Sequence, residues 1–500
     1  MNLLGKLSYL TIFLLIFAEL FSLTAYLLPP LGQAAFFIVL TAVLILSIIK
    51  LEYGFYVLLA ELFVGGHGHL FDLNLGGITV SIRMGLFLVI LVVWLIKQIR
   101  NNELKIMADK KFLLPFLLLA LTILIGFING LLNNQLNNVF FDANAWLYFA
   151  LLPVFLTIIK KENLKNILQI LVGATTYLAL KTIAVLFLFS HNFAGIGGFF
   201  YKWLRDSGVG EITYISGTMF RAFFQSQLYC LVGFLLVLTI LIVNFRFKEW
   251  KKYFLPAFYL YLTSLAIIIS QSRSFWVGGA FAIFGLLIFS WWKFNFKIKK
   301  TALLIIVLAV TFASQVFLIQ LISGNFAGNI IADRFKNLPG EAAGISRLNQ
   351  LQPLLYNISQ QALFGYGFGK ELTYQSSDPR ILKTHPNGIY TTYAFEWGYL
   401  DIALKLGVIG LLVYLALIVQ LFFRGISNFQ FPISKQIPKS KIQIPNAKSL
   451  LPTTSYKLQA GLLLGLIALC VTNIFSPYLN HPLGIGYLLL VSAIYQNYVS

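Results

Sequence analysis

Apolar runs recur along almost the whole chain, at roughly 7–28, 33–49, 52–65, 78–96, 112–131, 144–159, 166–190, 222–245, 254–271, 274–292, 301–322, 397–423, 458–476 and 482–498, most of them near the length of about 20 residues that crosses a bilayer as a helix. The runs are unbroken instead of alternating, which argues against a transmembrane β-barrel. Hydrophobic residues make up 59% of the 500 and charged residues 11%, against about 25% charged in a soluble domain. A soluble enzyme, a disordered chain and a secreted disulfide scaffold are thereby excluded. The expectation is an all-α integral membrane protein of about 12–14 transmembrane helices, with one long extracytoplasmic loop containing short helices. Cys230 and Cys470 both lie inside apolar runs, as small hydrophobes of helix packing do.

The net charge is +20, and its placement is more informative than its size. Placing the loops alternately puts roughly 24 of the 37 Lys and Arg residues on one side, in short loops, and the positive-inside rule makes that side cytoplasmic. Both termini are then expected in the cytoplasm. The first run, behind Lys6, reads as a span because it is too long for a signal peptide and no small-residue cleavage site follows. The organisation expected is an N-terminal bundle of spans over 1–322, a long extracytoplasmic loop over 323–396, a span over 397–423, a basic cytoplasmic linker over 424–457 and the C-terminal spans over 458–500. The linker is rich in Lys, Pro, Ser, Ile and Gln without acids, suited to rest on anionic headgroups. The long loop holds Phe364, Tyr366, Phe368, Tyr374, Tyr390, Tyr393 and Trp397, a composition that is not disordered.

The residues that break the inside rule are the candidates for function. On the outer side fall Arg205, Arg221, Arg273, Arg334, Lys336, Arg347, Lys370, Arg380 and Lys383, an excess that an anionic substrate at headgroup level explains. Arg273, in SQSRSFWVGG, stands between two spans with almost no loop. An arginine there is costly unless paired, so it is a functional candidate, and its planar fork suits phosphate oxygens. Snorkelling, or pairing with an acid such as Glu61, is the alternative. Arg221 opens another span at the same face and divides evenly between phosphate binding and structure. Arg83 suits a structural or headgroup role, and Lys181, well inside a span, suits pairing with an intramembrane acid. Glu19, Glu61 and Asp401 are acids expected to be buried.

His67, His69, His191, His385 and His481 all fall near the outer face. His385, just before a span, can take a proton from a hydroxyl, and arginines beside it would keep it neutral; capping the next helix is the alternative. His481, in NHPLG, is a second candidate. His67 and His69 with Asp72 are weak evidence for a metal, and none is expected. Glu396 can orient His385, act as a base, or sit as an acid at a helix N-terminus. GYGFG at 365–369 reads as a tight turn, since no GK[ST] follows for a nucleotide. The outer loops carry no adjacent acidic pair to clamp a metal.

Taken in order, these segments resemble the O-antigen ligase and O-antigen polymerase superfamily of bacterial membrane glycosyltransferases. SQSRSFWVGG is similar to the family's Ser-Arg before an apolar span. SRLNQLQPLLYNISQQALFGYGFG is similar to its arginine, helix and glycine turn. HPNGIYTTYAFEWGYLDIALKLGVIGLL is similar to its His-Asn-x-Tyr entry into a span. The likeness covers roughly 265–420; the N-terminal half agrees in hydropathy only. Departures are Pro386 between His385 and Asn387, where many members carry H-x-H-N, and Leu351 where they often carry Trp.

The resemblance implies transfer of a glycan from a polyprenyl-pyrophosphate donor onto a sugar hydroxyl at the outer face of the bacterial cytoplasmic membrane, with inversion and without ATP or a cofactor. It implies that Arg273 and Arg347, with Arg221, bind the pyrophosphate and that His385, with Glu396, acts on the acceptor. Asn387 and Tyr390 become sugar contacts. The partners implied are the bilayer, the lipid-linked oligosaccharide and a glycan or glycolipid acceptor, with a flippase and a chain-length regulator and no nucleic acid. A lipid-linked oligosaccharide flippase is the alternative. A flippase predicts pseudo-symmetric halves with midplane polar sites, whereas these charges gather at one face.

Overall fold

The computed structural model describes residues 4–76, 78–102, 109–193, 196–244, 247–294, 298–324, 342–427 and 453–499. Arg334, Lys336, the segment 325–341 of the long loop and the segment 428–452 of the basic linker lie outside them. The protein is all-α, as expected, with three short hairpins added. Its helices are α1 (Lys6–Leu27), α2 (Pro29–Ile49), α3 (Leu51–Val64), α4 (Ile82–Arg100), α5 (Lys110–Asn133), α6 (Leu136–Ala143), α7 (Leu152–Ile158), α8 (Leu164–Ser190) and α9 (Ile196–Asp206). They continue with α10 (Gln227–Asn244), α11 (Phe254–Ile269), α12 (Arg273–Phe294), α13 (Ile298–Ser323), α14 (Ala342–Gln360), α15 (Pro379–Leu382), α16 (Gly398–Ser427), α17 (Thr453–Phe475) and α18 (Pro482–Val499).

Among the described residues ten helices are long and apolar enough to cross a membrane, or eleven when the bent pair Leu136–Ala143 and Trp146–Ile158 is one span. The expected 12–14 exceeds this because several apolar runs fold into shorter pieces. The run at 52–65 becomes the 14-residue α3, the run at 144–159 becomes the short helical piece Trp146–Ile158, bent by 41° against Leu136–Ala143, and Gln227–Ile242 is a shorter apolar helix. Such pieces are tolerated at membrane depth when surrounding helices bury them, and α3 is buried along most of its length.

The antiparallel hairpins are β1 (Asp72–Leu75) with β2 (Ile78–Ser81), β3 (Glu211–Ser216) with β4 (Met219–Phe223), and β5 (Leu372–Gln375) with β6 (Ile389–Thr392). They are built from the connections that precede α4, α10 and α16, and with α14 they mark the loop-bearing face of the bundle.

Buried charges are paired inside the bundle. Lys181 of α8 reaches Glu19 of α1 at 2.7 Å, the intramembrane acid partner the sequence called for. Arg83 forks onto both oxygens of Glu61, each at 2.9 Å, so Glu61 serves Arg83 and not Arg273. Lys405 of α16 holds Asp142 and Asp401, each at 2.6 Å. Asp142 also accepts from the Gly369 amide at 2.8 Å.

That last bond belongs to the GYGFG turn, which enters the bundle between α5 and α16 instead of lying in solvent. α16 is broken at Gly407, whose φ is 71°. The carbonyls left over are taken by the turn: Tyr366 N–H donates to Leu404 O at 2.9 Å and Gly367 N–H to Lys405 O at 3.0 Å. On the far side of the break Val408 N–H donates to Ala362 O at 2.7 Å. Every polar backbone group at membrane depth needs such a partner, so the break and the turn require each other.

Candidate functional site

Three arginines from three separate elements gather at the loop-bearing face. Arg273 opens α12 directly after the SQS turn. That turn is tight because Gln271 takes a left-handed φ of 47°, uncommon for a residue with a Cβ. The same turn exposes the Ser270 carbonyl, which accepts from Arg221 Nε at 2.8 Å. Arg221 comes from β4 and lies over the Phe223 ring at 4.6 Å. Burial lowers its pKa; Glu211 and Tyr478 oppose that, and Arg273 and Arg347 lower it further. The three guanidinium groups therefore share one field.

Arg347, on the first turns of α14, donates from Nε to the Phe475 carbonyl at 3.0 Å and meets Glu396 at 3.0 Å. Its own carbonyl accepts from Trp397 Nε1 at 2.8 Å. α14 is held by an inward face on which Ser346, Gln350 and the apolar Leu354 are buried while Leu348 and Leu355 are exposed. This is the 3.6-residue period with polar groups turned inward, because the inward groups have partners.

His385 lies across the loop unit from these arginines. It is exposed, its Nδ1 is 2.9 Å from Thr384 Oγ1, and its ring meets the Tyr390 ring edge-on at 5.5 Å. A chain of contacts connects it to the arginines. Tyr390 meets Tyr374 edge-on at 6.0 Å, Gln350 Nε2 donates to the Tyr374 hydroxyl at 3.2 Å, and the Glu396 amide donates to Gln350 Oε1 at 2.9 Å. Asn387 is exposed and spent on the turn, its Oδ1 accepting from Ile389 N–H at 3.1 Å. Asp378 caps α15, accepting from Arg380 N–H at 2.8 Å and from its guanidinium at 2.6 Å. Burial acts to raise the Asp378 carboxyl; the hydrogen bonds and charge of Arg380 outweigh it and leave the pKa lowered.

A second group, which the sequence marked only in part, adjoins the arginines. His67 and His481 face each other with ring centroids 5.3 Å apart. His67 Nε2 accepts from Gln225 Nε2 at 2.8 Å. Burial, with the charges of Arg83 and His69, pushes His67 down to about 4. Arg83 pins the loop that carries it, donating to Gly66 O at 2.7 Å. His69 turns elsewhere, to Asp72 at 2.8 Å. Among the described residues no three His, Cys, Asp or Glu side chains are grouped as for a metal, and His67 and His69 point to different partners.

The turn from Phe475 to His481 joins both groups. Phe475 holds Arg347, Ser476 donates to Ser274 Oγ at 3.2 Å beside Arg273, and Tyr478 donates to the Gln225 carbonyl at 3.2 Å. Sequence reasoning singled out His481 there and passed over Ser476, Tyr478, Gln225 and Gln350. The only sequence signal was the polar and Pro-rich interruption FSPYLNHP between two apolar runs.

Residues 258–415 match the family model described as O-antigen ligase. A comparison with curated proteins finds no match. The matched stretch runs from α11 through the first half of α16, so it includes Arg273, Arg347, His385 and Glu396; Arg221, His67 and the 475–481 turn lie outside it. Over that stretch the chain is similar to the O-antigen ligase family, and the resemblance to the O-antigen ligase and polymerase superfamily read from its motifs holds.

Proposed function

We propose that this protein is a membrane glycosyltransferase that moves a glycan from a polyprenyl-pyrophosphate donor onto a sugar hydroxyl, at the extracytoplasmic face of the bacterial cytoplasmic membrane. The observation that carries the reading is the arginine cluster. Three guanidinium groups fixed by different elements share one half-buried site, with Glu396 and Glu211 as the described carboxylates near them. Among the described residues the site holds more guanidinium than carboxylate groups and is partly desolvated, where charge–charge attraction is stronger than in water. A lipid diphosphate supplies the charge such a site lacks, and a guanidinium fork matches its oxygens. The side of the membrane follows from the positive-inside rule, since the basic loops fall opposite this face.

In the reaction the acceptor oxygen bonds to the anomeric carbon as the bond from that carbon to the diphosphate oxygen breaks. The electron pair leaves with polyprenyl pyrophosphate, and the hydroxyl proton passes to a base. The arginines stabilise the leaving charge, an effect that single preorganised donors supply at about 10²–10³-fold. His385 is the base, in an exposed position suited to an acceptor arriving from solvent. A general base in reach of the acceptor hydroxyl contributes about 10²–10⁴-fold. The ion pair to Arg347 makes Glu396 the group that orients that arginine. A single displacement inverts the anomeric centre, and the activated donor removes any need for ATP. Polymerase is favoured over ligase as the acceptor class, because cell-surface polysaccharide assembly is what many chains of the resembled superfamily serve.

The test is transfer by purified protein in lipid nanodiscs, given an undecaprenyl-pyrophosphate oligosaccharide and a glycan acceptor. Longer chains or a conjugate are expected with wild type, and Arg273→Lys should lower kcat/KM by about 10²-fold. Absence of product with every acceptor, in protein that is folded and binds donor, overturns the reading.

A further inference from the structure

His67, His481 and Gln225 are not used in that mechanism, yet they adjoin the arginine cluster through the 475–481 turn. His67 keeps exposed ring surface although protein surrounds it closely enough to desolvate it, as a residue lining a concavity does. We propose that His67, His481 and Gln225 form a subsite for an uncharged hexose, the one that the donor lipid carries next to its diphosphate. The proposal rests on the reading that the arginine cluster holds that diphosphate.

Three observations lead there. The first is proximity. Gln225 follows Arg221 by four residues, and Tyr478, which feels the Arg221 charge, holds the Gln225 carbonyl. The same turn that ends in His481 begins by binding Arg347 through Phe475 O. A sugar bonded directly to a diphosphate has little choice of position.

The second is hydrogen-bond inventory. His67 Nε2 is occupied by Gln225 Nε2, and His481 Nδ1 accepts from the Leu483 amide at 3.3 Å. Each neutral ring is therefore left with an N–H donor and no spare lone pair. The pair is thus poorly suited to take a proton and well suited to bind an oxygen. Gln225 Oε1 is buried with no hydrogen-bond partner, an acceptor left open, and such groups are costly unless something fills them. A sugar hydroxyl both donates and accepts, so it satisfies the amide oxygen and an imidazole together.

The third is charge. The Arg83 guanidinium, the nearest cation behind the pair, is taken up by Glu61 and the Gly66 carbonyl. Burial and the Arg83 charge hold both imidazoles neutral, with His69 acting on His67 and His67 acting on His481. Among the described residues the His67, His481 and Gln225 side chains bring no charge of their own to meet a uronate or an amino sugar.

The experiment measures binding of four lipids to protein in nanodiscs, against bare undecaprenyl pyrophosphate. The four carry glucose, galactose, N-acetylglucosamine or N-acetylgalactosamine on the diphosphate. At least one should bind about tenfold tighter than the bare lipid. His67→Ala, His481→Gln and Gln225→Ala should each bring it down to the bare-lipid value while bare-lipid binding stays unchanged. His481→Gln and Gln225→Ala, which disturb packing least, decide the matter if His67→Ala aggregates. The subsite is overturned if the variants keep the preference, or if no sugar binds tighter than the bare lipid. Failure of wild type to bind the bare lipid, or indifference of that binding to Arg273→Ala, overturns the diphosphate reading instead and takes the subsite with it.

Discussion

Arg347 spends Nε on a backbone carbonyl and Nη2 on Glu396, so its remaining N–H groups have a fixed direction. Replacing Glu396 with Gln keeps the shape and removes the charge that holds the guanidinium. Transfer should fall by about 10-fold, mostly in KM, and less than for Arg347→Ala. Steady-state kinetics on the two variants separates orientation from binding; a loss from Glu396→Gln as deep as that from His385→Ala would instead make Glu396 the base. The two desolvated imidazoles set a pH dependence. His67 is pushed down to about 4 from an ordinary value near 6.5, by burial first and then by Arg83 and His69. A depressed histidine favours the fold while neutral: its contribution is complete above the unfolded pKa of about 6.5 and is lost as pH falls towards 4. His481, shifted the same way by burial, His67 and Arg83, adds to it. Thermal stability of the wild type should therefore fall as pH drops from about 6.5 to 4, and His67→Gln with His481→Gln should flatten that limb. An unchanged slope in the double variant would remove the pair from the titration.

At the scale of elements, the broken helix α16 and the turn at 365–369 form one object. Gly367 has φ 81° and packs against the Gly130 backbone, so a side chain there meets both a conformational and a steric penalty. Gly367→Ala should destabilise the protein by about 2–4 kcal/mol, read as a lower melting temperature in detergent. Gly197→Ala is the control, since a Cβ there meets nothing within 4 Å. The glycines of GYGFG were legible as a turn because only glycine enters that region freely. What the sequence did not disclose is that the turn lies inside the bundle. Its Tyr366 and Gly367 amides reach carbonyls of residues 404 and 405, remote in sequence and themselves made available only by the kink at Gly407.

Across the whole molecule, the Lys405 triad joins α6, α16 and, through Asn480 on Asp401, the 475–481 turn that supports the arginines. Lys405→Met would leave two carboxylates facing each other in the bundle. Removing one partner of a buried ion pair costs about 3–5 kcal/mol, so the variant should express poorly or melt early. Asp142→Asn in the same background should restore part of the loss; no rescue would mean that the triad is not a coupled unit. The proposed orientation is tested separately. Asn387→Cys, on an exposed turn, should react with a membrane-impermeant maleimide added outside intact spheroplasts, after Cys230 and Cys470 are replaced by Ala. Labelling only after permeabilisation would invert the topology.

Hydropathy alone determined that this is a membrane-embedded helical protein, because bilayer thickness fixes the length of an apolar run by a rule local in sequence. It also marked Arg273, since an arginine with almost no loop around it is conspicuous in one dimension. The resemblance already grouped Arg221 and Arg347 with it; only the tertiary structure decided which carbonyls and acids hold them, that Arg83 takes Glu61, and that the C-terminal turn underlies both the arginines and the paired histidines. The reason is physical: periodicity reports each helix against its solvent, whereas polar groups at membrane depth are stable only with partners, and those partners are chosen by packing between elements far apart in the chain.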